Sequence, residues 1–523
     1  LSIDRWPNAS KCCGELYCVA RTRALFGGGT MPSKPTTRWQ VSGYRFLVRR
    51  MEHALVRRDV RMLHDPMRAQ SRAYVVGLVL GIVVLAGCGV LALLKPQDKI
   101  GDSKILIAKE SGGVYVVLDN VVHPALNLAS ARLAAGEASK AAIVKESELS
   151  KKPRGQLIGI PGAPSSLLYD KDGKGRPWSV CDQLKSDGST DHTTSVLAGS
   201  PELGTKATKL EGDQALLVQG KDSAYLVYDN KRARVNMDDP AVTQALGIIG
   251  ETPRPISEGL LNAIPEVLPI ISPVIANPGG EPSYKVSGHR IGDIVQVFNE
   301  PNQNYVVLQD GLQSVSPLTA QIVRNSNDTT MQGTTIQATE RVHGGVSNTL
   351  RVHSYPQQAP KLVTAKDQPV SCLTWRPIEG ATDNDADGTA RAELSLLTGI
   401  SLPLPDDAKL VQLAQADQSG PNVDSAYIPP ATGAFVQATG IEPDSRRKDS
   451  MFYVADTGVR FGIRNAEAVK ALGLEGISAE PAPWPIVGLL AGGPSLGRED
   501  AMVAHDGVAP DPSPAKQLVA TAN

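Results

Sequence analysis

The chain holds 523 residues, with 53 basic against 54 acidic side chains, 41% hydrophobic content and only 4% aromatics. That length suits two to four domains, and a charged fraction of 20% with ample aliphatic residues excludes a wholly disordered polypeptide. Six cysteines exclude a disulfide-dense miniature scaffold, while 49 glycines and 38 prolines predict many turns and short elements.

Residues 1–30 fit the rest poorly. They carry Cys12, Cys13 and Cys18, a fragment of a metal site without a matching second half, and Met31 opens a plausible start. This stretch reads as a non-native or disordered lead. Residues 31–72 form a basic arm, ten Lys/Arg against Glu52, Asp59 and Asp65 for a net +7. The lead adds +2, so the total of −1 leaves about −10 for residues 95–523. Within the arm, Val41, Tyr44, Val48, Met51 and Leu55 recur at helical spacing, which predicts an amphipathic helix broken at Asp65-Pro66. Arg45, Arg49, Arg50, Arg57 and Arg58 are its candidate contacts, with anionic lipid headgroups or with a cytoplasmic partner protein. Nucleic acid is not expected, because one short helix beside a bilayer has no reading module.

Ala73 to Leu94 is uncharged over 22 residues, roughly 33 Å as a helix against a hydrocarbon core of about 30 Å. It reads as a transmembrane helix. The run is too long and starts too far in for a signal peptide, and no cleavage site follows it. Ten basic residues on its N-terminal side hold that side in the cytoplasm. The body from 95 onward is then extracytoplasmic.

That body reads as a duplication. Four stretches share a short strand, a second strand with an aromatic, an Asp turn, a third strand and a helix; they begin at Ile105, Leu216, Ile294 and Phe435. Their turns fall at Asp119-Asn120, Asp229-Asn230, Asp310-Gly311 and Asp456 to Gly458, residue types that tolerate positive φ in tight hairpins. Tyr115 and Tyr305 lie 190 residues apart, and Cys181 and Cys372 lie 191 apart. Each cysteine is followed by a strand and a Gly turn, at Gly199 and Gly399. We therefore expect Cys181 and Cys372 to form a disulfide across a pseudo-twofold, in an oxidising compartment. The expected fold is α+β: a single transmembrane helix, then an elongated body of four small α/β repeats around a β-rich central domain. The expected limits are 95–150 for the first repeat, 151–213 for the first central part and 214–283 for the second repeat. The third repeat takes 284–360, the second central part 361–430, the fourth repeat 431–508 and a disordered tail 509–523. Proline-rich runs at Pro253–Pro255, Pro265–Pro282, Pro356–Pro360 and Pro481–Pro485 read as stiff connectors between these pieces.

Chemistry is harder to find. No G-x-x-x-x-G-K-[ST] loop and no G-x-G-x-x-G between strand and helix is present, and the histidines past the spanning helix are scattered, so no metal site is expected. Gly493 to Gly497 matches G-x-S-x-G only literally, since a short helix is expected before it where the motif needs a strand. Asp383, Asp385, Asp387 and Gly388 copy the front of a calcium loop, but its twelfth position is Leu394 rather than Glu.

The arm QVSGYRFLVRRMEHALVRRDVRMLHDP with its spanning helix, together with HPALNLASARL, LIGIPGAP, WSVCD, ISEGLLNAIP, SCLTW, GVRFGI and MVAHDGVAPDPSP, resembles the EccB family. EccB is a membrane-core component of type VII (ESX) secretion systems, and the likeness runs from residue 31 to about 515. The resemblance implies assembly with EccC, EccD, EccE and further EccB copies, and four repeats around a core with one disulfide. It also brings the label ATPase, and with it ATP as a cofactor by name alone, because no catalytic residues can be assigned. Two other roles are weighed beside a structural secretion subunit: an ATP-hydrolysing membrane protein of the same system, and an anchored module that binds the cell wall.

Overall fold

A computed structural model describes residues 37–61, 66–94, 100–169, 175–185, 190–326, 334–381, 385–418 and 420–508. The lead 1–30 and the tail 509–523 lie outside the described residues. The chain divides into two compact units, Leu1–Gln97 and Asp98–Asn523.

The described residues of the first unit form two helices. Arg38–Arg57 starts at Thr37, whose hydroxyl accepts from the Gln40 N–H while the Gln40 side chain accepts from the Thr37 N–H, a reciprocal cap that fits the sequence T-x-x-Q. It ends at Arg58, which takes the left-handed conformation at φ 53°, so the break comes earlier than Asp65-Pro66. The second helix runs Pro66–Leu94. Proline is welcome in a first helical turn, where its missing N–H would have no partner anyway; Pro66 therefore opens the helix well ahead of Ala73.

The second unit is mixed α/β, with one central sheet and four smaller ones. The central sheet has seven strands in the order Val411–Gln412, Ser425–Tyr427, His192–Ala198, Trp178–Leu184, Val370–Pro377, Ala392–Gly399 and Ala207–Lys209. Its middle pair, Trp178–Leu184 and Val370–Pro377, is antiparallel with Trp178 opposite Trp375 and Cys181 opposite Cys372. Both strands are buried almost throughout.

Each smaller sheet grows from a three-stranded antiparallel meander followed by a helix. The meanders are Ile105–Ala108, Val114–Leu118, Val121–Ala125; Gln214–Gln219, Ala224–Tyr228, Lys231–Val235; Ile294–Val297, Glu300–Val307, Leu312–Val315; and Ala434–Thr439, Met451–Val454, Val459–Gly462. The helices Leu128–Ala135, Pro240–Leu246 and Ala466–Leu472 start on Asn127, Asp239 and Asn465 caps and end on Gly136, Gly247 and Gly473 with φ of 71°, 68° and 84°, the polar-start and glycine-stop pattern expected of short helices. After the helix a strand returns parallel to the first meander strand: Ala142–Val144, Arg254–Pro255, Thr334–Ile336 and Glu480–Pro483. A second short helix follows, and the chain then lies parallel to the third meander strand through Leu157–Ile158, Glu266–Ile270, a bridge at Val346, and Ala491–Gly492. The C-terminal strand Ala504–His505 joins the first sheet beside Leu157–Ile158.

Three of the proline-rich runs are therefore not connectors. Pro253–Pro255 and Pro481–Pro483 supply the returning parallel strands, and Pro265–Pro282 begins as the strand Glu266–Ile270. Proline lacks a donor and is tolerated where a strand bonds on one side only, so these stretches cap sheet edges. The turns also differ among themselves. Asp119-Asn120 and Asp229-Asn230 have φ of 46°, 65° and 45°, 58°, the geometry that matches strand twist. Asp310-Gly311 does not use positive φ. Gly311 answers a different need, since a Cβ there would sit 3.0 Å from the Gly344 carbonyl oxygen.

The sheets share cores in pairs. Val116 and Leu133 of the first pack with Tyr453, Phe461 and Leu472 of the fourth. Leu226 and Leu246 of the second pack with Ile294, Val306 and Ile322 of the third. Trp178, Val180 and Leu396 of the central sheet join Leu216 and Leu260 of the second and Val436 and Ile486 of the fourth.

Candidate functional site

Three places carry the features a role can be built on: the arm helix, the spanning helix and the centre of the seven-stranded sheet. On the arm helix no side chain is buried. Tyr44, Met51 and Leu55 are exposed, as are Arg45, Arg49, Arg50, Arg57 and Arg58. At about 100° per residue, Val41, Tyr44, Val48, Met51 and Leu55 share one stripe and the arginines lie around the rest of the helix. Trp39 and Phe46, also exposed, fall among the arginines rather than on the stripe. Apolar side chains thus stand on two sides of a basic helix.

The spanning helix offers Arg72–Leu91, long and apolar enough to cross a membrane and buried nowhere in the protein. A Cβ added at Gly77, Gly81, Gly87 or Gly89 would meet nothing within 4 Å. Cys88 is a free, exposed cysteine within it.

At the centre of the sheet Cys181 and Cys372 are bonded, with Cα atoms 4.0 Å apart and 191 residues of separation. Ser179 and Thr374 share a hydrogen bond of 2.8 Å beside them. Asp182, fully buried, accepts from the Ser257 N–H at 2.7 Å and the Thr194 hydroxyl at 2.9 Å. Desolvation raises its pKa against those bonds and the nearby His192. Arg254, also buried, donates to the carbonyls of Gln368 and Pro369 at 3.0 Å each. Burial pushes it down to about 10, with the Asp182 charge opposing the fall. Thr194 also donates its N–H to Asp424, which receives the Asp417 and Gln418 N–H groups as well. Glu480 of the fourth sheet pairs with Arg176 at 3.0 Å where the chain enters the central sheet, the two side chains 5% and 12% exposed. These bonds fix the second and fourth sheets to the central one; they are a clamp of structural charges. Sequence reasoning missed Asp182, Arg254 and Glu480, and the only local signal was an ionisable residue set inside a strand pattern.

The near-motifs resolve into ordinary structure. Ser495 is exposed in a loop whose neighbour Leu496 bridges Ile463. Asp387 pairs with Arg446 at 3.0 Å, while Asp383 lies outside the described residues. Among the described residues no group of three or more His, Cys, Asp or Glu is placed to hold a metal ion.

These features define a chain with, among the described residues, one helix fit to cross a membrane, and a disulfide-stapled, mixed α/β body. Residues 33–510 match the family model described as "Type VII secretion system ESX-1, transport TM domain B". The ESX-3 secretion system ATPase EccB3 of Mycobacterium tuberculosis H37Rv is 37% identical over 508 residues, covering 92% of each chain. The ESX-1 secretion system ATPase EccB1 of the same strain is 35% identical, covering 92% of this chain and 97% of its own. A chain of an intact ESX-5 inner membrane complex aligns with a TM-score of 0.71 at 32% identity, covering 94% of this chain and all of that one. A chain of an EccB3 dimer from the ESX-3 core complex aligns at 0.65 and 36%, covering 77% of this chain and all of its own. The chain belongs to the EccB family of type VII secretion.

Proposed function

We propose that this chain is a structural subunit of an ESX inner-membrane secretion complex. The observation that carries the reading is its match, over 94% of its length, to a chain of the intact ESX-5 inner membrane complex. The helix at Arg72–Leu91 anchors it, the basic arm stays in the cytoplasm, and the disulfide-bonded body is periplasmic, where that bond can persist. The body consists of four copies of one strand-meander unit, each a meander, a helix, a returning strand, a second helix and a last strand. Arg45, Arg49, Arg50, Arg57 and Arg58 form the docking face of the arm. Trp39 and Phe46 among those arginines favour a protein groove over a flat lipid surface. EccC, EccD and EccE, with further copies of this chain, are the partners. ATP hydrolysis is carried only by the names of the relatives, and no residue here is assigned to it.

The test is native purification of the tagged full chain from gently solubilised membranes. Co-migration with other ESX membrane components in one large complex is expected. A chain that runs alone, from cells in which those components are expressed and intact, would sink the proposal.

A further inference from the structure

In three of the four units the returning chain closes onto the end of the meander. Ala125 pairs with Ile158, Val235 with Ile270 and Ile463 with Leu496, all in parallel. The Leu126 and Arg464 N–H groups donate to the Ile158 and Leu496 carbonyls at 3.0 and 3.1 Å. The third unit starts in the same way, with the Leu312–Val346 bridge, and then does not close. Leu350 follows Val346 at the same interval as Ile158 follows Arg154 of the Val122–Arg154 bridge. Its N–H and carbonyl, however, are taken by the Gln313 side chain at 2.8 and 2.7 Å. Where the bridge would lie, a cavity of about 510 Å³ opens, lined by Val315, Ser316 and Leu350 among others. We infer that this cavity receives residues 517–522, Gln-Leu-Val-Ala-Thr-Ala, as an extended strand on the open edge at Ser314 and Ser316. The inference goes beyond the subunit role and does not rest on it.

Three observations carry it. The first is the edge itself. Leu312 donates its N–H to the Gly345 carbonyl at 3.2 Å and accepts the Ser347 N–H at 3.1 Å, so its main-chain groups point away from Glu300–Val307. Main-chain direction alternates along a strand, so the Ser314 N–H and carbonyl and the Ser316 N–H face that same side, where both residues line the cavity. Among the described residues no main-chain group pairs with them there. Such an edge is a template for an added strand.

The second is charge. Asn302, Gln303, Gln313, Asn348 and Gln357 line the cavity with amides, and no Asp, Glu, Lys or Arg lines it, in a chain with 20% charged residues. Amides and hydroxyls can match peptide groups, whereas a charged segment would lose water there without gaining a counter-charge. Residues 517–522 carry no charge. Asp511 and Lys516 precede them, and so do Pro510, Pro512 and Pro514, which cannot donate to a ladder. Beyond residue 508 the strand-length run free of both charge and proline therefore starts at Gln517.

The third is what the neighbouring stretch of chain already does. Ala504–His505 is added antiparallel to Leu157–Ile158 as the outermost strand of the first sheet, and the Gly159 N–H donates to the Val503 carbonyl at 3.2 Å. Met502-Val503-Ala504-His505 has its like in Leu518-Val519-Ala520-Thr521, an apolar residue, Val-Ala and a polar residue.

The test is hydrogen–deuterium exchange, read by mass spectrometry, on the full chain in detergent micelles and on the chain ended at residue 508. The Ser314 and Ser316 amides should exchange about tenfold more slowly in the full chain, with the amides of Trp178–Leu184 the same in both. Leu518→Pro with Val519→Pro, which keeps the length but removes donors facing either side, should release them as truncation does. A synthetic peptide of residues 515–523 added to the shortened chain should restore the protection. Equal exchange at Ser314 and Ser316 in the full and shortened chains, or protection unchanged in the double variant, would overturn the assignment. A scrambled peptide that protects as well as the native one would overturn it too, by showing that the cavity takes any extended segment.

Discussion

Cys181 and Cys372 sit directly opposite one another on two adjacent antiparallel strands at the middle of the central sheet. The bond between them closes a loop of 191 residues, for which the chain-entropy estimate is about 5 kcal/mol of stabilisation. Replacing both by serine should cost about 2–5 kcal/mol, read as a shift in denaturant midpoint. Equal midpoints for oxidised and reduced protein would show that the bond does not restrain the unfolded chain.

Arg176 and Glu480 form a largely buried pair, with the Arg176 Nε and Nη2 atoms donating to both carboxylate oxygens. Glu480→Gln alone should destabilise by about 3–5 kcal/mol, because it leaves a buried guanidinium without its counter-charge. The double change Arg176→Met with Glu480→Leu should cost less than that single change. A double-mutant cycle with no coupling would contradict the pairing.

Asp182 gives the body a pH dependence of definite sign. Its folded pKa is raised by burial, so its contribution to stability is fully present below the ordinary aspartate pKa and is lost as pH rises through the folded value. Acidification from neutrality toward the aspartate range should therefore stabilise the native chain more than the Asp182→Asn variant. Thermal melts across that window read the difference, and a constant gap between the two proteins would refute it.

The spanning helix should not tolerate a charge at its middle. Val84→Lys carries a cost of about 2.5–3.5 kcal/mol on the insertion scale, so more of the chain should be released by alkaline carbonate extraction. Full retention of the variant in the membrane pellet would argue that Arg72–Leu91 is held by protein instead of lipid.

Polarity can be read separately. A phosphatase reporter fused after residue 508 should be active, and a fluorescent protein that matures only in the cytoplasm should stay dark at the same position. The reverse pattern would invert the proposed orientation.

Much of this was legible in the sequence because it depends on strong local or long-period signals. The apolar run around Val84 leaves few alternatives, and the Asp-Asn turns at 119–120 and 229–230 announce their hairpins. The 191-residue interval between two cysteines picked out the disulfide. The returning strands were not legible. Arg254–Pro255 is two residues long and Ala142–Val144 three, too short for a clear alternation, and the prolines of Arg254–Pro255 and Glu480–Pro483 suggested the opposite of a strand. Only afterwards does it become visible that Pro253–Pro255 and Pro481–Pro483 are both followed by Gly-Leu-Leu, at Gly259 and Gly488. The buried charges were hidden for a related reason: Asp182 and Arg254 are 72 positions apart in sequence, and nothing near either of them indicates a counter-charge.

The pairing of the first small sheet with the fourth has a consequence for how the protein is made. Leu133 finds Leu472 and Leu496 only once nearly the entire polypeptide has been made. The earliest-emerging segment must wait, its greasy face uncovered, for the last to arrive. Ribosome-bound or truncated products that stop short of residue 496 should therefore be protease-sensitive at both ends at once, and quality control can judge completion of the whole body by a single late event.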